Sequence, residues 1–425
     1  MRFLHTTLPQ RVVFAPRASP RAVARETARL GARRVMLIAS ARAAALADPI
    51  AAALPVVLRH EEVVMHVPAE VAARARTAAA HAGADAVVTV GGGSTTGLGK
   101  AVALTTGLPV VAVPTTYAGS EATNVWGLTE GGTKTTGTDD AVLPRAVVYD
   151  AALLSTLPPA LSVASGLNAL AHCVDSMWGP YADPIDRALA GEGIRALAAG
   201  LPAVAGKGGA SEGGRDTETA EGTEGAEGTE GAEGTEGAEG TEGAEGTEGA
   251  EGTEGAEGTE GAEGMEGVEA AGAVEAVEDA DAVEGMAGIA QTLYGAHLAA
   301  VAFASAGSGL HHKICHVLGG MFDLPHAQTH AVVLPHVLAL NAPHAPEAER
   351  RIAAAFGAAT AVQGLAALCT AVDAPRALRD HGMPKDGIAR AVPAILAAVP
   401  AGNPAPVTEE NLTALLYAAW RGERR

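Results

Sequence analysis

The sequence contains little cysteine and few aromatic residues. Its 425 residues include three cysteines, Cys173, Cys315 and Cys369, which excludes a disulfide framework and indicates a reducing compartment. No two of them form a CxxC motif, so a structural zinc site on thiolates is excluded as well. Aromatic residues make up 3% of the chain and hydrophobic residues 48%, so a large core must consist mainly of alanine, valine and leucine.

Targeting and membrane patterns are also missing. The first residues, MRFLHTTLPQRVVF, contain no apolar central region of a signal peptide. No run of about 18 uninterrupted apolar residues occurs, so we expect no membrane span and no membrane partner. The predicted location is the cytoplasm.

The net charge of −20 comes from one internal segment. Residues 211–290 contain 25 of the 49 acidic residues and one basic residue, Arg215. The rest of the chain is close to neutral, so we expect no nucleic-acid partner. Within this segment the unit EGTEGA occurs seven times in succession, over 221–262. Because the unit has no hydrophobic face, we predict a disordered acidic insert over 208–284. A protein that binds partners through the repeat is the alternative.

Short apolar runs alternate with helical patterns over residues 1–157. Such runs predict buried parallel strands with helices on both faces, which is an α/β Rossmann-like dinucleotide-binding domain. The runs are Arg11–Phe14, Val35–Ile38, Ala86–Val90, Val110–Val113 and Ala146–Tyr149. Over 158–425 the strand patterns end, and alanine- and leucine-rich helical patterns, such as Pro184–Ala205 and Gln291–Ala306, predict an all-α C-terminal domain around the insert.

A glycine-rich turn follows the run Ala86–Val90. We expect a helix from about Thr96, and a helix N-terminus behind a glycine turn binds pyrophosphate through free N–H groups. The predicted cofactor-binding residues here are Gly91, Gly92, Gly93, Ser94 and Thr95. A second polar loop after the next strand adds Thr115, Thr116 and Ser120. Ligands of open α/β sheets bind at these strand ends.

Histidines are concentrated in the second half of the chain. Eight of the 14 lie between His297 and His344. His312 and His316 are four residues apart, as are Asn168 and His172, so each pair shares one helix face. This spacing is typical of a metal site assembled from helices.

Five segments along both predicted domains resemble the iron-containing alcohol dehydrogenase superfamily, and within it the maleylacetate reductases. They are GGGSTTGLGK, PTTYAGSEAT, LPRAVVYD, GLNALAHCVDSMW and GLHHKICHVLGGMFDLPHAQTHAVVLPH. The resemblance implies a dehydroquinate synthase-like architecture. It also implies NAD(P)H-dependent reduction of the enone double bond of maleylacetate to 3-oxoadipate, a step of aromatic-compound catabolism.

The resemblance also identifies candidate site residues. The metal quartet of the superfamily corresponds to Asn168, His172, His312 and His326. Asn168 stands where the superfamily has aspartate. A neutral amide is a weaker ligand than a carboxylate, so we predict no tightly bound metal. Gly97 likewise replaces an aspartate of the wider superfamily.

Histidines are then expected to polarise the substrate carbonyl and to supply the proton. The catalytic candidates are His172, His312, His316 and His326, and which of them donates the proton stays open. Asn168, Lys313 and His311 are the candidates for binding the small dicarboxylate substrate.

After the second predicted strand, the resemblance places Ala41 at the position of the acidic residue that usually binds the ribose 2′-hydroxyl, and Arg42 follows. We therefore expect either NADH or NADPH as cofactor. Relatives commonly form dimers, so a homodimer is expected.

Two other enzyme classes remain open. One is an iron- or zinc-dependent alcohol or polyol dehydrogenase of the same superfamily. The other is a dehydroquinate synthase-type lyase, which would need a carboxylate at the position of Asn168.

Overall fold

The structure is a computed structural model that describes residues 3–130, 133–206 and 280–423, without the side chains of residues 133, 134 and 280–284. The predicted disordered insert over 208–284 lies outside the described residues except for its last five positions. A helix begins at Ala280, within these five positions, and the insert stays a prediction.

A six-stranded parallel sheet forms the N-terminal part of the described chain, in the order β1-β8-β5-β4-β2-β3. Two further strands, β6 and β7, form a separate antiparallel hairpin. The strands are β1 Arg11–Phe14, β2 Val35–Ile38, β3 Val56–His60, β4 Ala86–Gly91, β5 Val110–Pro114, β6 Val125–Glu130, β7 Thr133–Thr138 and β8 Ala146–Tyr149.

Helices cover both faces of this sheet and make up the C-terminal part. They are α1 Ser19–Arg29, α2 Ala44–Ala52, α3 Ala69–Ala82, α4 Gly93–Thr106, α5 Pro159–Ser176, α6 Pro184–Ala205, α7 Ala280–Ala306, α8 Leu310–Phe322, α9 His326–Asn341, α10 Pro346–Phe356, α11 Ala361–Ala371, α12 Gly387–Ala398 and α13 Glu409–Arg421. The predicted α/β domain followed by a helical domain is confirmed.

The central strands are apolar along their whole length because both of their faces are covered. Every residue of β2, β4, β5 and β8 is buried, as in a parallel sheet between two helix layers. The sequence analysis missed β3, an edge strand that is only half-buried and ends in Arg59 and His60. It also missed the threonine-rich hairpin of β6 and β7.

Helix α6 has the predicted bounds, Pro184–Ala205. The Asp183 side chain accepts hydrogen bonds from the N–H groups of Ile185 (2.7 Å) and Asp186 (3.0 Å), and Pro184 follows it where no N–H is needed.

A shared core joins the sheet to the helical part. Tyr117 and Tyr149, from the carboxyl ends of β5 and β8, are buried in the same apolar cluster as Leu167 and Leu170 of α5 and Leu197 of α6. The carboxyl edge of the sheet therefore faces the helices that carry the histidines. The predicted boundary near residue 157 falls just before α5 and stays a prediction.

Among the described residues, three segments are long and apolar enough, by length and composition alone, to cross a membrane. They are Pro184–Ala205, Gly285–Ala306 and Pro346–Ala371. The first two are part of α6 and α7, which contribute Leu197 and Leu293 to the core shared with the sheet. The absence of a membrane partner stays a prediction.

Candidate active site

The predicted glycine-rich turn joins β4 to α4 at the carboxyl edge of the sheet. Strand β4 ends at Gly91, Gly92 caps the helix, and α4 begins at Gly93. The expected start near Thr96 was three residues too late. Ser94 and Thr95 therefore lie in the first turn of α4, where N–H groups without an intrahelical partner can bind an anion.

Close packing explains part of the glycine requirement. A Cβ atom added at Gly91 would lie 2.3 Å from Oγ1 of Thr95, which is buried. A Cβ atom at Gly92 would lie 3.0 Å from Cγ2 of Thr116. At Gly93 the nearest atom would be the Cβ of Ala118, at an ordinary contact distance of 3.4 Å. The protein itself thus leaves room for a side chain at Gly93.

The second predicted loop lies against this turn. The N–H of Thr115 donates a hydrogen bond to the carbonyl of Gly91 (3.0 Å), and Thr116 packs beside Gly92. Ser120 opens a 3-10 turn that ends at Ala122. The structure thus brings Thr115 and Thr116 to the glycine turn, and the N–H of Tyr117 ties their loop to Oγ of Ser165 in α5 (3.1 Å).

A buried polar network of Lys100, Glu121 and Tyr149 lies next to this loop. Lys100 of α4 is fully buried, and its Nζ donates to the carbonyls of Thr123 (2.7 Å) and Val125 (2.8 Å). Burial lowers the pKa of Lys100 to about 7 and raises the pKa of Glu121. Glu121 accepts a hydrogen bond from the hydroxyl of Tyr149 (2.9 Å). The sequence analysis did not predict this network.

Ala41 and Arg42 lie in a 3-10 turn after β2, on the same edge of the sheet, and both are exposed. The turn Ala41–Ala43 contains no carboxylate. Glu61 follows the neighbouring strand β3 and pairs with Arg59 (3.1 Å). The carboxylate of Glu61 near this edge is therefore already paired with the guanidinium of Arg59.

Six histidines from three helices form one cluster. Helix α5 supplies His172, α8 supplies His311, His312 and His316, and α9 supplies His326 and His330. The ring of His312 lies centrally, with centroids 4.9 Å from His172, 4.8 Å from His330 and 6.1 Å from His316. The ring of His326 is 4.3 Å from that of His330. The four predicted catalytic histidines thus belong to one cluster.

Four of these rings are buried. Burial is the main cause that lowers the pKa of His172 to about 4 and that of His311 to about 3, and neighbouring histidines add to the effect. The pKa values of His312 and His330 are lowered well below the usual range for the same reason. In contrast, His316 and His326 are exposed. The cluster therefore has a neutral interior and a solvent-facing rim.

Two of the predicted substrate-binding residues, His311 and Asn168, are buried rather than exposed to solvent. His311 is fully buried, and its Nε2 is 2.9 Å from Nδ1 of His330, a hydrogen bond in which either ring can be the donor. Asn168 is also buried, and its Oδ1 has no hydrogen-bond partner among the described residues. Lys313 is half-buried on α8 next to His312.

The sequence analysis missed His330, Asp175 and Phe303 as members of this cluster. Asp175 lies three residues after His172 on α5, and its Oδ2 is 2.6 Å from Nδ1 of His312. The spacing of Asn168, His172 and Asp175 along one helix face could have indicated it. Phe303 of α7 stacks on His172 with a centroid distance of 4.7 Å, and no pattern in the sequence pointed to it.

The donor set of the cluster consists of imidazoles and one amide, and three of the buried imidazoles lie close enough together to share an ion. Asn168 offers a neutral amide oxygen, and the nearby carboxylate, Asp175, faces Nδ1 of His312 and backbone N–H groups. Among the described residues, the cluster nitrogens within 4.8 Å of one another belong to His311, His312 and His330, and no carboxylate joins this group. Without an anionic ligand, much of the electrostatic attraction for a metal is missing. We derive no chemical step through a metal.

Comparison with known proteins now places the chain. A family model described as iron-containing alcohol dehydrogenase matches residues 9–151, and one for the C-terminal domain of this family matches residues 267–420. The chain belongs to the iron-containing alcohol dehydrogenase family. Both parts of the fold, on either side of the insert, are thus parts of one enzyme type.

Full-length relatives share 33% to 48% of their residues with this family member. A maleylacetate reductase of Sphingobium indicum is 38% identical over 99% of this chain and 98% of its own length. An iron-containing alcohol dehydrogenase structure from Corynebacterium glutamicum is 48% identical, with a TM-score of 0.80, over 100% of this chain and 98% of its own. A maleylacetate reductase structure from Agrobacterium tumefaciens is 33% identical, with a TM-score of 0.78, and covers both chains completely.

Proposed function

We propose that this protein is a maleylacetate reductase that uses NADH or NADPH. The observation that carries the proposal is the histidine cluster with an amide, Asn168, at the position of the superfamily's acidic metal ligand. Maleylacetate reductases at 33–39% identity over the full chain support it. A site with an amide in place of this acidic ligand suits a substrate whose carbonyl needs little polarisation by a metal.

The chemistry is consistent with such a site. The carbonyl of maleylacetate is conjugated with a carbon–carbon double bond. A bound reduced nicotinamide would supply hydride to the alkene carbon β to the carbonyl, which would place the electron pair on the carbonyl oxygen, and protonation of that enolate at the α carbon would give 3-oxoadipate. Preorganised hydrogen-bond donors stabilise such an enolate. An activated enone therefore has less need of a Lewis acid than a simple alcohol, whose alkoxide a metal stabilises.

The proposed roles follow the two parts of the cluster. The buried His172 and His312 lie at its centre. His172 is proposed to donate a hydrogen bond to the carbonyl oxygen, and His312 is proposed to take up a proton at Nε2 and pass it to the enolate. The exposed His316 and His326 lie where protons can exchange with solvent and are proposed proton donors. Asn168, Lys313 and His311 remain the proposed substrate-binding residues, with Lys313 the cation among them. The glycine turn and the threonine loop bind the cofactor.

The decisive experiment follows NADH absorbance with maleylacetate and with a panel of simple aldehydes and diols, each with and without EDTA. We expect rapid turnover of maleylacetate only, unchanged by the chelator, and no stoichiometric iron or zinc in the purified protein. Turnover of aldehydes or diols that depends on bound metal would instead identify a metal-dependent alcohol or polyol dehydrogenase.

Cofactor selection gives a second prediction. Because the turn after β2 lacks a carboxylate and Arg42 is exposed there, a 2′-phosphate meets no repulsion from that turn. We expect the kcat/KM values for NADH and NADPH to differ by less than about a thousandfold, or roughly 4 kcal/mol. Replacing Ala41 with aspartate should restore strong discrimination against NADPH. A wild-type preference for NADH above this limit would reject the prediction.

The proposed assembly is a homodimer in the cytoplasm that binds no membrane and no nucleic acid. Strand β1 lies at the edge of the sheet with Val12 and Phe14 exposed, and such an edge is usually covered. Light scattering of the purified protein measures the subunit number, and a monomer would refute this part of the proposal.

A further inference from the structure

We propose that Asp175 is a positioning residue that fixes His312 in one orientation and one tautomer, with the proton on Nδ1 and the lone pair on Nε2. The inference deepens the proposed function, since it rests on a role for His312 in the reduction. Nothing in the resemblance to known enzymes assigned a role to Asp175.

The carboxylate of Asp175 is fully buried and surrounded by donors. Its Oδ2 accepts hydrogen bonds from the N–H of Gly309 (3.1 Å), the N–H of His312 (3.2 Å) and Nδ1 of His312 (2.6 Å). Asp175 therefore also caps the N-terminus of α8, where a negative charge is favourable. Two of these three donors are backbone N–H groups, so Oδ2 acts as an acceptor and the proton between it and His312 belongs to Nδ1.

The far side of the His312 ring faces the cluster. Its Nε2 is buried and has no hydrogen-bond partner among the described residues. The ring centroids of Phe303 and His172 lie 4.3 and 4.9 Å from that of His312, so these two rings limit rotation of the imidazole. The orientation is therefore set by the carboxylate on one side and by packing on the other, as for a histidine held by an aspartate in a catalytic triad.

Gly309 makes this arrangement possible. A Cβ atom at Gly309 would lie 2.4 Å from Oδ1 of Asp175, so any side chain there has to displace the carboxylate. Its φ of −88° is open to other residues. The need for glycine at this position is therefore the close approach of Asp175 and not the backbone conformation.

Two substitutions test the proposal through different changes. Asp175→Asn keeps an acceptor oxygen for the helix cap but removes the charge and allows the amide to donate to His312. Gly309→Ala keeps every functional group and moves the carboxylate. We expect both to lower kcat about 10- to 100-fold, the usual effect of losing a partner that orients a functional histidine, with KM for NADH unchanged.

Controls separate positioning from folding. Asp183→Asn alters another buried aspartate that caps a helix, α6, and Gly191→Ala adds a methyl group 3.9 Å from Cε of Met177. We expect kcat to stay at the wild-type value in both. A loss of kcat in the controls equal to that in the test variants would refute the positioning role.

Nitrogen NMR of histidine-labelled protein gives a readout that does not depend on turnover. We expect the His312 ring of the wild-type protein to carry its proton on Nδ1 only, and both test variants to show a mixture or the other tautomer. A wild-type ring protonated on Nε2 would overturn the proposal, as would unchanged kcat in both variants. If maleylacetate were not reduced while the tautomer was as expected, the proposed function would fail and the fixed orientation would stand.

Discussion

Replacing His312 with glutamine is expected to lower kcat for maleylacetate by a factor on the order of 10²–10⁴, or about 3–5 kcal/mol of transition-state stabilisation. The ring of His312 lies at the centre of the cluster, within 5 Å of the rings of His172 and His330. Glutamine has a similar length and one donor group, but it cannot accept and release a proton. Stopped-flow measurement of NADH oxidation at saturating substrate checks this.

Binding of the cofactor should be unaffected in this variant. The glycine turn joins β4 to α4 and the threonine loop follows β5, whereas His312 belongs to α8. The Kd for NADH is therefore expected to stay at the wild-type value. His344→Gln, at an exposed position after α9, is the matched control and should retain full activity. A fall in kcat of less than about threefold in the His312 variant, under 1 kcal/mol, would remove His312 from the mechanism.

The geometry of the cluster explains how a site without a carboxylate ligand can serve reduction. Four rings are buried and have pKa values shifted downward, so the interior is neutral when the site holds no ligand. A neutral interior avoids repulsion among the four buried histidines.

The parts of the fold with strong sequence patterns were predicted well. Strands β2, β4, β5 and β8 are buried on both faces, so their apolar runs were unambiguous. Strand β3 was missed because an edge strand can carry polar residues such as Arg59 and His60. The start of α4 was misplaced because glycine and serine in GGGS are typical of a loop, although here they form the first turn.

The candidate site was predictable only where residues recur at helical spacing. His312 and His316 share one face of α8, and His326 lies four residues before His330 on α9. The same spacing on α5 could have placed Asp175 on the face of His172. Its pairing with His312 could not be found in this way, because the two residues lie on different helices, 137 residues apart in the chain. Contacts between helices depend on packing angles that no local pattern encodes.

The three consecutive glycines of the cofactor turn are expected to respond differently to alanine. Gly91→Ala places a methyl group 2.3 Å from Oγ1 of the buried Thr95. Strand β4 cannot move away easily, because Gly91 pairs with Pro114 in the sheet. Overpacking of this kind typically costs about 1–3 kcal/mol. Thermal unfolding should therefore show a lower Tm for this variant.

Gly93→Ala should leave thermal stability intact and weaken binding of NADH. Alanine stabilises a helix position by about 0.5–1 kcal/mol relative to glycine, and the nearest atom, 3.4 Å away, makes an ordinary contact. The Tm should stay constant or rise. The added methyl group would, however, lie at the helix N-terminus where the pyrophosphate has to approach, so the Kd for NADH should increase at least tenfold, or about 1.4 kcal/mol.

Gly191→Ala, inside α6 and away from the turn, is the control for both measurements and should change neither NADH affinity nor turnover. If Gly93→Ala bound NADH as tightly as the wild-type protein, the pyrophosphate could not lie against the first turn of α4. The glycines would then serve packing alone, and the cofactor site would have to be sought elsewhere along the carboxyl edge of the sheet.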